Sequence, residues 1–162
     1  MNEGEPLGEA AARELREETG VEVRAVAEEG EKAKGGSGSL ASPRTITIDQ
    51  FRAYGDPGRD PRGWTVTVAF AGVARDDPAG ASRSALSATA GGDDAADARW
   101  FPLCSLPPMA FDHKLIVRDA LRKLVKEEEE QGGRGKRDDE LLRDMRDALA
   151  SEALRGDWDR AF

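Results

Sequence analysis

The sequence predicts an α/β fold followed by a helical tail, and three observations carry that prediction. Leu7, Ala10, Ala11 and Leu15 recur at helical spacing close to Met1. Several later stretches, such as Trp64–Ala74, alternate apolar and polar residues as strands do. From about Phe111 to Glu130 the helical spacing returns. At 162 residues the chain is the size of one domain with an extension.

The first helix is expected over residues 6–19. Pro6 suits a first helical position and Gly20 a left-handed stop. The small alanines on its apolar stripe would let it approach a sheet closely. Val21–Val26 then alternates like a strand. Residues 28–43, EEGEKAKGGSGSLASP, are rich in charge, glycine and serine and read as a flexible insertion. Two strands follow, Thr45–Tyr54 and Trp64–Ala74, joined by GDPGRDPRG. Trp64, Val66, Val68 and Phe70 would share one face of the second. Residues 75–95 read as a loop, and Arg99–Phe101 as a short strand that Leu106-Pro107-Pro108 ends. The next helix, about Phe111–Glu130, would take its apolar side from Phe111, Leu115, Val117, Leu121, Leu124 and Val125, with the glutamates at 127–130 as a solvated, fraying end. Residues 138–155 form a weaker amphipathic helix, expected as an appendage outside the core. The expected partition is a domain over 1–126 and an acidic helical tail over 127–162.

Composition excludes several classes of function. The formal net charge of −8 argues against a nucleic-acid partner, which calls for a basic face. No apolar run approaches the length of a membrane span. The single cysteine, Cys104, supports neither a disulfide framework nor a cysteine zinc site and reads as a half-buried small residue. No signal peptide is visible, so a cytoplasmic location is the simplest expectation, with an organelle address left open.

The chemistry concentrates near the start. Glu14, Glu17 and Glu18 stand at i, i+3 and i+4, which puts three carboxylates on one helical turn. Arg13 lies one turn before Glu17 and can orient it. Like charges at this spacing destabilise a helix, and a hard cation such as Mg²⁺ reverses that cost. The plain alternative is a solvated helix laced with salt bridges. The full spacing decides between them. Glu5, then Arg13-Glu14-Leu15-Arg16-Glu17-Glu18-Thr19-Gly20-Val21, resembles the Nudix box, with every defined position from Glu5 to Val21 matched. The glycine that opens the family's box, and its first strands, would precede Met1.

The resemblance implies a Nudix-type α/β/α sandwich with a mixed sheet, here lacking the first strands and carrying the C-terminal helical tail. It implies hydrolysis of a nucleoside diphosphate linked to another moiety, with Mg²⁺ or Mn²⁺ as cofactor. Carried over, Glu14, Glu17 and Glu18 are the metal ligands, Arg13 the orienting partner, and Glu5 the support of the metal loop. Glu17, or an acidic residue of a later loop, would act as base. Asp93, Asp94 and Asp97 precede Trp100, and Asp94 is chosen by its distance from that tryptophan.

Tyr54-Gly55-Asp56-Pro57-Gly58-Arg59-Asp60-Pro61-Arg62-Gly63-Trp64 and Leu106–His113 resemble stretches of the ADP-ribose pyrophosphatase-like Nudix branch. ADP-ribose, giving AMP and ribose 5-phosphate, is then the expected substrate. Arg59 and Arg62 could present guanidinium forks to its phosphates, or pair with Asp56 or Asp60 to brace the hairpin. Phe51, Tyr54 and Trp64 could stack an adenine or pack in the core. His113 could move a proton or serve the helix start. The partner expected is thus a small-molecule nucleotide; a homodimer is compatible with the family. Two alternatives stand beside the enzyme: an ADP-ribose-sensing protein and an inactive truncated form.

Overall fold

A computed structural model of the chain describes residues 3–25, 46–74, 100–131 and 136–155. The insertion expected at 28–43 and the aspartates at 93, 94 and 97 lie outside them. The elements in chain order are α1 (Leu7–Thr19), β1 (Val23–Ala25), β2 (Ile46–Tyr54), β3 (Thr67–Ala71), α2 (His113–Gln131), α3 (Lys136–Ala150) and a short 3-10 turn (Glu152–Leu154). The strands make a mixed sheet in the order β1-β2-β3, and the class is the α/β class expected. β1 and β2 are parallel, pairing Val23 with Ile46, Arg24 with Thr47 and Ala25 with Ile48.

The described residues group into two compact units. One holds 3–25, 46–50, 70–74 and 100; the other holds 51–69, 101–131 and 136–155.

In the first unit, α1 begins and ends where its sequence directs. Pro6 is extended at the N-cap, one position ahead of its expected place, and its carbonyl accepts from Ala10 N at 3.0 Å. Gly20 adopts the left-handed conformation (φ 68°), and its N–H reaches Arg16 O at 2.7 Å. A side chain there would be strained, which is why glycine is favoured at this stop. The helix packs on β1 through Ala11, Ala12 and Leu15, while Leu7 of the expected stripe is 48% exposed. Ala12, Val21, Val23 and Ile48 form a buried cluster flanked by Ala11, Leu15, Ile46 and Phe70. The close approach depends on small residues: a Cβ on Gly8 would stand 2.8 Å from Ala25 Cβ. Gly72 is tighter still, since a Cβ there would lie 2.2 Å from the carbonyl oxygen of Thr47. Backbone cannot yield as a side chain does, so this strand exit requires glycine.

The second unit corrects three expectations. The C-terminal helix is no appendage. Leu142, Met145, Ala148 and Leu154 are buried with Leu121 of α2, and Val117, Leu124, Val125, Leu103 and Leu106 pack around them. Met145 and Leu154 are each 1% exposed, and full burial of such a side chain contributes about 1.5–3 kcal/mol. Nor does α2 fray at its glutamates. Glu128 is buried, Glu127 bonds Lys123 at 2.6 Å, and Glu129 bonds Arg146 of α3. Cys104 is exposed rather than half-buried.

Two strand expectations also fall short. β3 begins at Thr67, and Trp64 and Val66 before it are 95% and 74% exposed. Its one fully buried residue is Ala69, on the face opposite to the one expected. Trp100 and Phe101 belong to no strand.

Candidate functional site

Each unit gathers one group of the chemically interesting side chains. In the first, the group is built on the turn of α1 that carries Arg13, Glu14, Glu17 and Glu18. The helix directs these residues away from the face that packs on β1, so Glu14, Glu17 and Glu18 are exposed. Arg13 sits among carboxylates. Its Nε and Nη2 donate to Glu5 Oε1 at 2.8 Å and Oε2 at 3.1 Å. Nη2 also donates to Glu14 Oε1 at 2.7 Å, and Nη1 to Glu17 Oε2 at 3.0 Å. These bonds, first to Glu5 and then to Glu14, raise the Arg13 pKa above its ordinary value. One guanidinium fork therefore joins the loop before α1 to the acidic turn of the helix.

The donor set is all oxygen and anionic, which suits a hard divalent cation rather than a soft one. Glu14, Glu17 and Glu18 are the residues of that kind on the turn. Among the described residues, no three histidine, cysteine, aspartate or glutamate side chains stand together at cation-holding spacing. The positive charge in the middle of this group is that of Arg13.

In the second unit, two successive turns carry the arginine loop. Asp56-Pro57-Gly58-Arg59 closes with Arg59 N to Asp56 O at 3.3 Å, and Gly58 has φ 81°. Proline followed by glycine at positive φ is the signature of a type II turn. Asp60-Pro61-Arg62-Gly63 closes likewise, at 3.3 Å from Gly63 N to Asp60 O. The two arginines then have different fates. Arg59 points inward, its side chain 7% exposed, and grips Asp112 at both oxygens, 2.8 and 2.9 Å. Its Nη1 donates to Thr67 Oγ1 at 2.9 Å. Arg62 stays outside with its side chain 75% exposed, paired to Asp60 at 2.7 Å and stacked 5.0 Å from the centre of the Phe111 ring. The bracing alternative thus applies to both, with Asp112 rather than Asp56 as the partner of Arg59. Only Arg62 keeps an edge in solvent.

Asp112 falls near the helix start that the sequence places at about Phe111. It is the half-buried anchor of the loop, and it follows Phe111, whose φ of 48° is left-handed. No local signal could pair it with an arginine 53 positions earlier. His113 stands edge-on to Phe111 at 6.1 Å. Tyr54 takes the packing role: it is buried, lies edge-on to Phe51, and donates to Asp119 Oδ2 at 3.1 Å. Burial, followed by the nearby Asp119 charge, raises its pKa.

Asp60 carries a pH prediction. The bonds from Arg62, side chain first and backbone second, lower its pKa from 3.8 to about 2. Folding depresses this pKa, so the contribution of Asp60 to stability is complete above 3.8 and is lost as the pH falls through about 2. The carboxyl carbon of Asp60, followed by NMR, is expected to titrate near the lower value. A midpoint at the ordinary aspartate value would show that the turn is not held by this pair.

Among the described residues no helix is long and apolar enough to cross a membrane. The model of the NUDIX domain matches residues 1–124. The chain is also 32% identical over 119 residues to an ADP-ribose pyrophosphatase of Methanocaldococcus jannaschii, an alignment that covers 74% of this chain and 52% of the relative. The chain therefore spans about half the length of the curated relative it matches. No solved structure matches it. The carboxylate turn gripped by Arg13 and the match over residues 1–124 agree, and the chain belongs to the NUDIX domain family.

Proposed function

We propose that the chain is a divalent-metal-dependent Nudix hydrolase that cleaves the diphosphate of ADP-ribose, giving AMP and ribose 5-phosphate. Water adds across the P–O–P bridge: its oxygen bonds to one phosphorus, the bridging oxygen leaves with the other, and a proton is released. The observation that carries this reading is the solvent-facing turn Glu14-Glu17-Glu18, tied by Arg13 to Glu5. Supporting it are the family and the name of the relative from M. jannaschii.

Glu14, Glu17 and Glu18 would hold Mg²⁺ or Mn²⁺. When bound, the metal supplies charge neutralisation of the diphosphate and a lowered pKa of the attacking water. The rest falls to the chain's own side chains. Glu5 and Arg13 join the loop before α1 to the helical turn that carries the carboxylates. Glu17 or Asp94 takes the proton of the water. Arg62 offers its exposed edge to a phosphate or a ribose phosphate, while Arg59, committed to Asp112, holds the loop that carries it.

The test is release of AMP and ribose 5-phosphate from ADP-ribose, with Mg²⁺ present and then chelated. Release that requires the metal is expected. Saturable binding of ADP-ribose by folded protein without release would replace the enzyme with a sensor.

A further inference from the structure

We propose that Arg13 is a competitor of the divalent cation: it occupies the positive position among Glu14 and Glu17 and gives both up when the metal binds, while Glu5 retains it. The inference rests on the reading of Glu14 and Glu17 as ligands. Its own content is the direction in which Arg13 acts on metal affinity.

The four bonds of Arg13 are unequal. The pair with Glu5 is bidentate, through Nε and Nη2, and partly buried, with the Glu5 side chain 14% exposed. The pairs with Glu14 and Glu17 are single, and those side chains are 48% and 59% exposed. A two-point pair shielded from water persists, whereas single pairs in water exchange readily. Nη2 is moreover shared between Glu5 Oε2 and Glu14 Oε1. Releasing Glu14 therefore leaves that nitrogen with a partner.

The same bonds oppose the metal. Arg13 bonds one oxygen of each carboxylate, Glu14 Oε1 and Glu17 Oε2, so a cation held by both residues must share them with the guanidinium and approach a charge of its own sign. The arrangement with Arg13 among the carboxylates is also one in which no three acidic groups of the described residues meet at cation-holding spacing. Binding on this proposal selects arrangements in which the carboxylates have left the guanidinium, and apparent affinity falls by the fraction of the protein that is in them. A merely orienting arginine predicts the reverse: its loss would loosen the ligands and weaken binding.

The experiment is calorimetric titration of Mn²⁺ into the full chain and into Arg13→Gln, with thermal unfolding of both in chelator and in Mn²⁺. The variant is expected to bind Mn²⁺ roughly threefold to tenfold more tightly. It should melt lower than the wild type in chelator and gain more on adding Mn²⁺. Should Arg13→Gln not fold, Arg13→Lys, which keeps the charge but loses the fork, is expected to shift affinity the same way by less. Binding in the wild type that weakens or stays equal in the folded variant overturns the inference alone. Binding in neither protein overturns the reading of the carboxylates as ligands, and the inference with it.

Discussion

Asp112→Ala is expected to lower the stability of the chain by about 3–5 kcal/mol, the range for removing one partner of a buried ion pair. The reason lies in what remains. The Arg59 side chain is 7% exposed, and two of its nitrogens end on the two oxygens of Asp112. Without that carboxylate the guanidinium keeps a single bond of those described, to Thr67 Oγ1, and a charge screened from water is left uncompensated. Loss of helix capping does not account for the effect, since Leu115 and Ile116 donate to the backbone carbonyl of Asp112, which alanine retains. A double variant, Arg59→Met with Asp112→Leu, is expected to recover much of the loss because no charge stays buried. Urea unfolding of the single and double variants measures both. A single variant within about 1 kcal/mol of the wild type, the value of an exposed pair, would show that water reaches the guanidinium. Arg62→Ala serves as the contrast: that side chain is mostly in solvent, and the Asp60 carboxylate it leaves, although buried, keeps the backbone N–H of residue 62 as a donor.

What the sequence could and could not disclose follows from the range of the forces involved. α1 was legible because its determinants are local. A proline and a glycine set its ends, alanines fill its packing face, and Arg13 and Glu17 meet one turn apart. The pairing of Asp60 with Arg62, two positions on, was legible for the same reason. Arg59 was not, because its partner is 53 residues away and nothing local distinguishes Asp112 from the aspartates of the loop itself. The C-terminal helix was legible as an amphipathic element. Its spacing says that Leu142 and Met145 are covered but not by what, and the cover is α2. The alternation at Trp64–Phe70 misled because it assigns a face only where the backbone is a strand. Before Thr67 it is not, and there Trp64 and Val66 stand in solvent.

Glu17→Gln is expected to reduce kcat for ADP-ribose hydrolysis by about 10²–10⁴-fold, the usual contribution of a positioned general base. The substitution is nearly isosteric, so the helix and its packing on β1 are left in place. The amide oxygen can still accept from Arg13 Nη1, which now donates to Glu17 Oε2 at 3.0 Å. With the side chain 59% exposed, little of the fold depends on its charge. A loss of turnover therefore reports on the charge itself. Two roles for that charge separate cleanly. If Glu17 serves as a ligand, a large excess of Mn²⁺ restores part of kcat by mass action. If it takes the proton of the attacking water, excess metal restores nothing and the acidic limb of the kcat/KM profile disappears. In the second case Asp94→Asn leaves that limb intact; in the first, Asp94→Asn removes it. Turnover by Glu17→Gln within about threefold of the wild type, far below the effect of a base, would take Glu17 out of the chemistry. The family's reaction would then need another carboxylate in this chain to take its place.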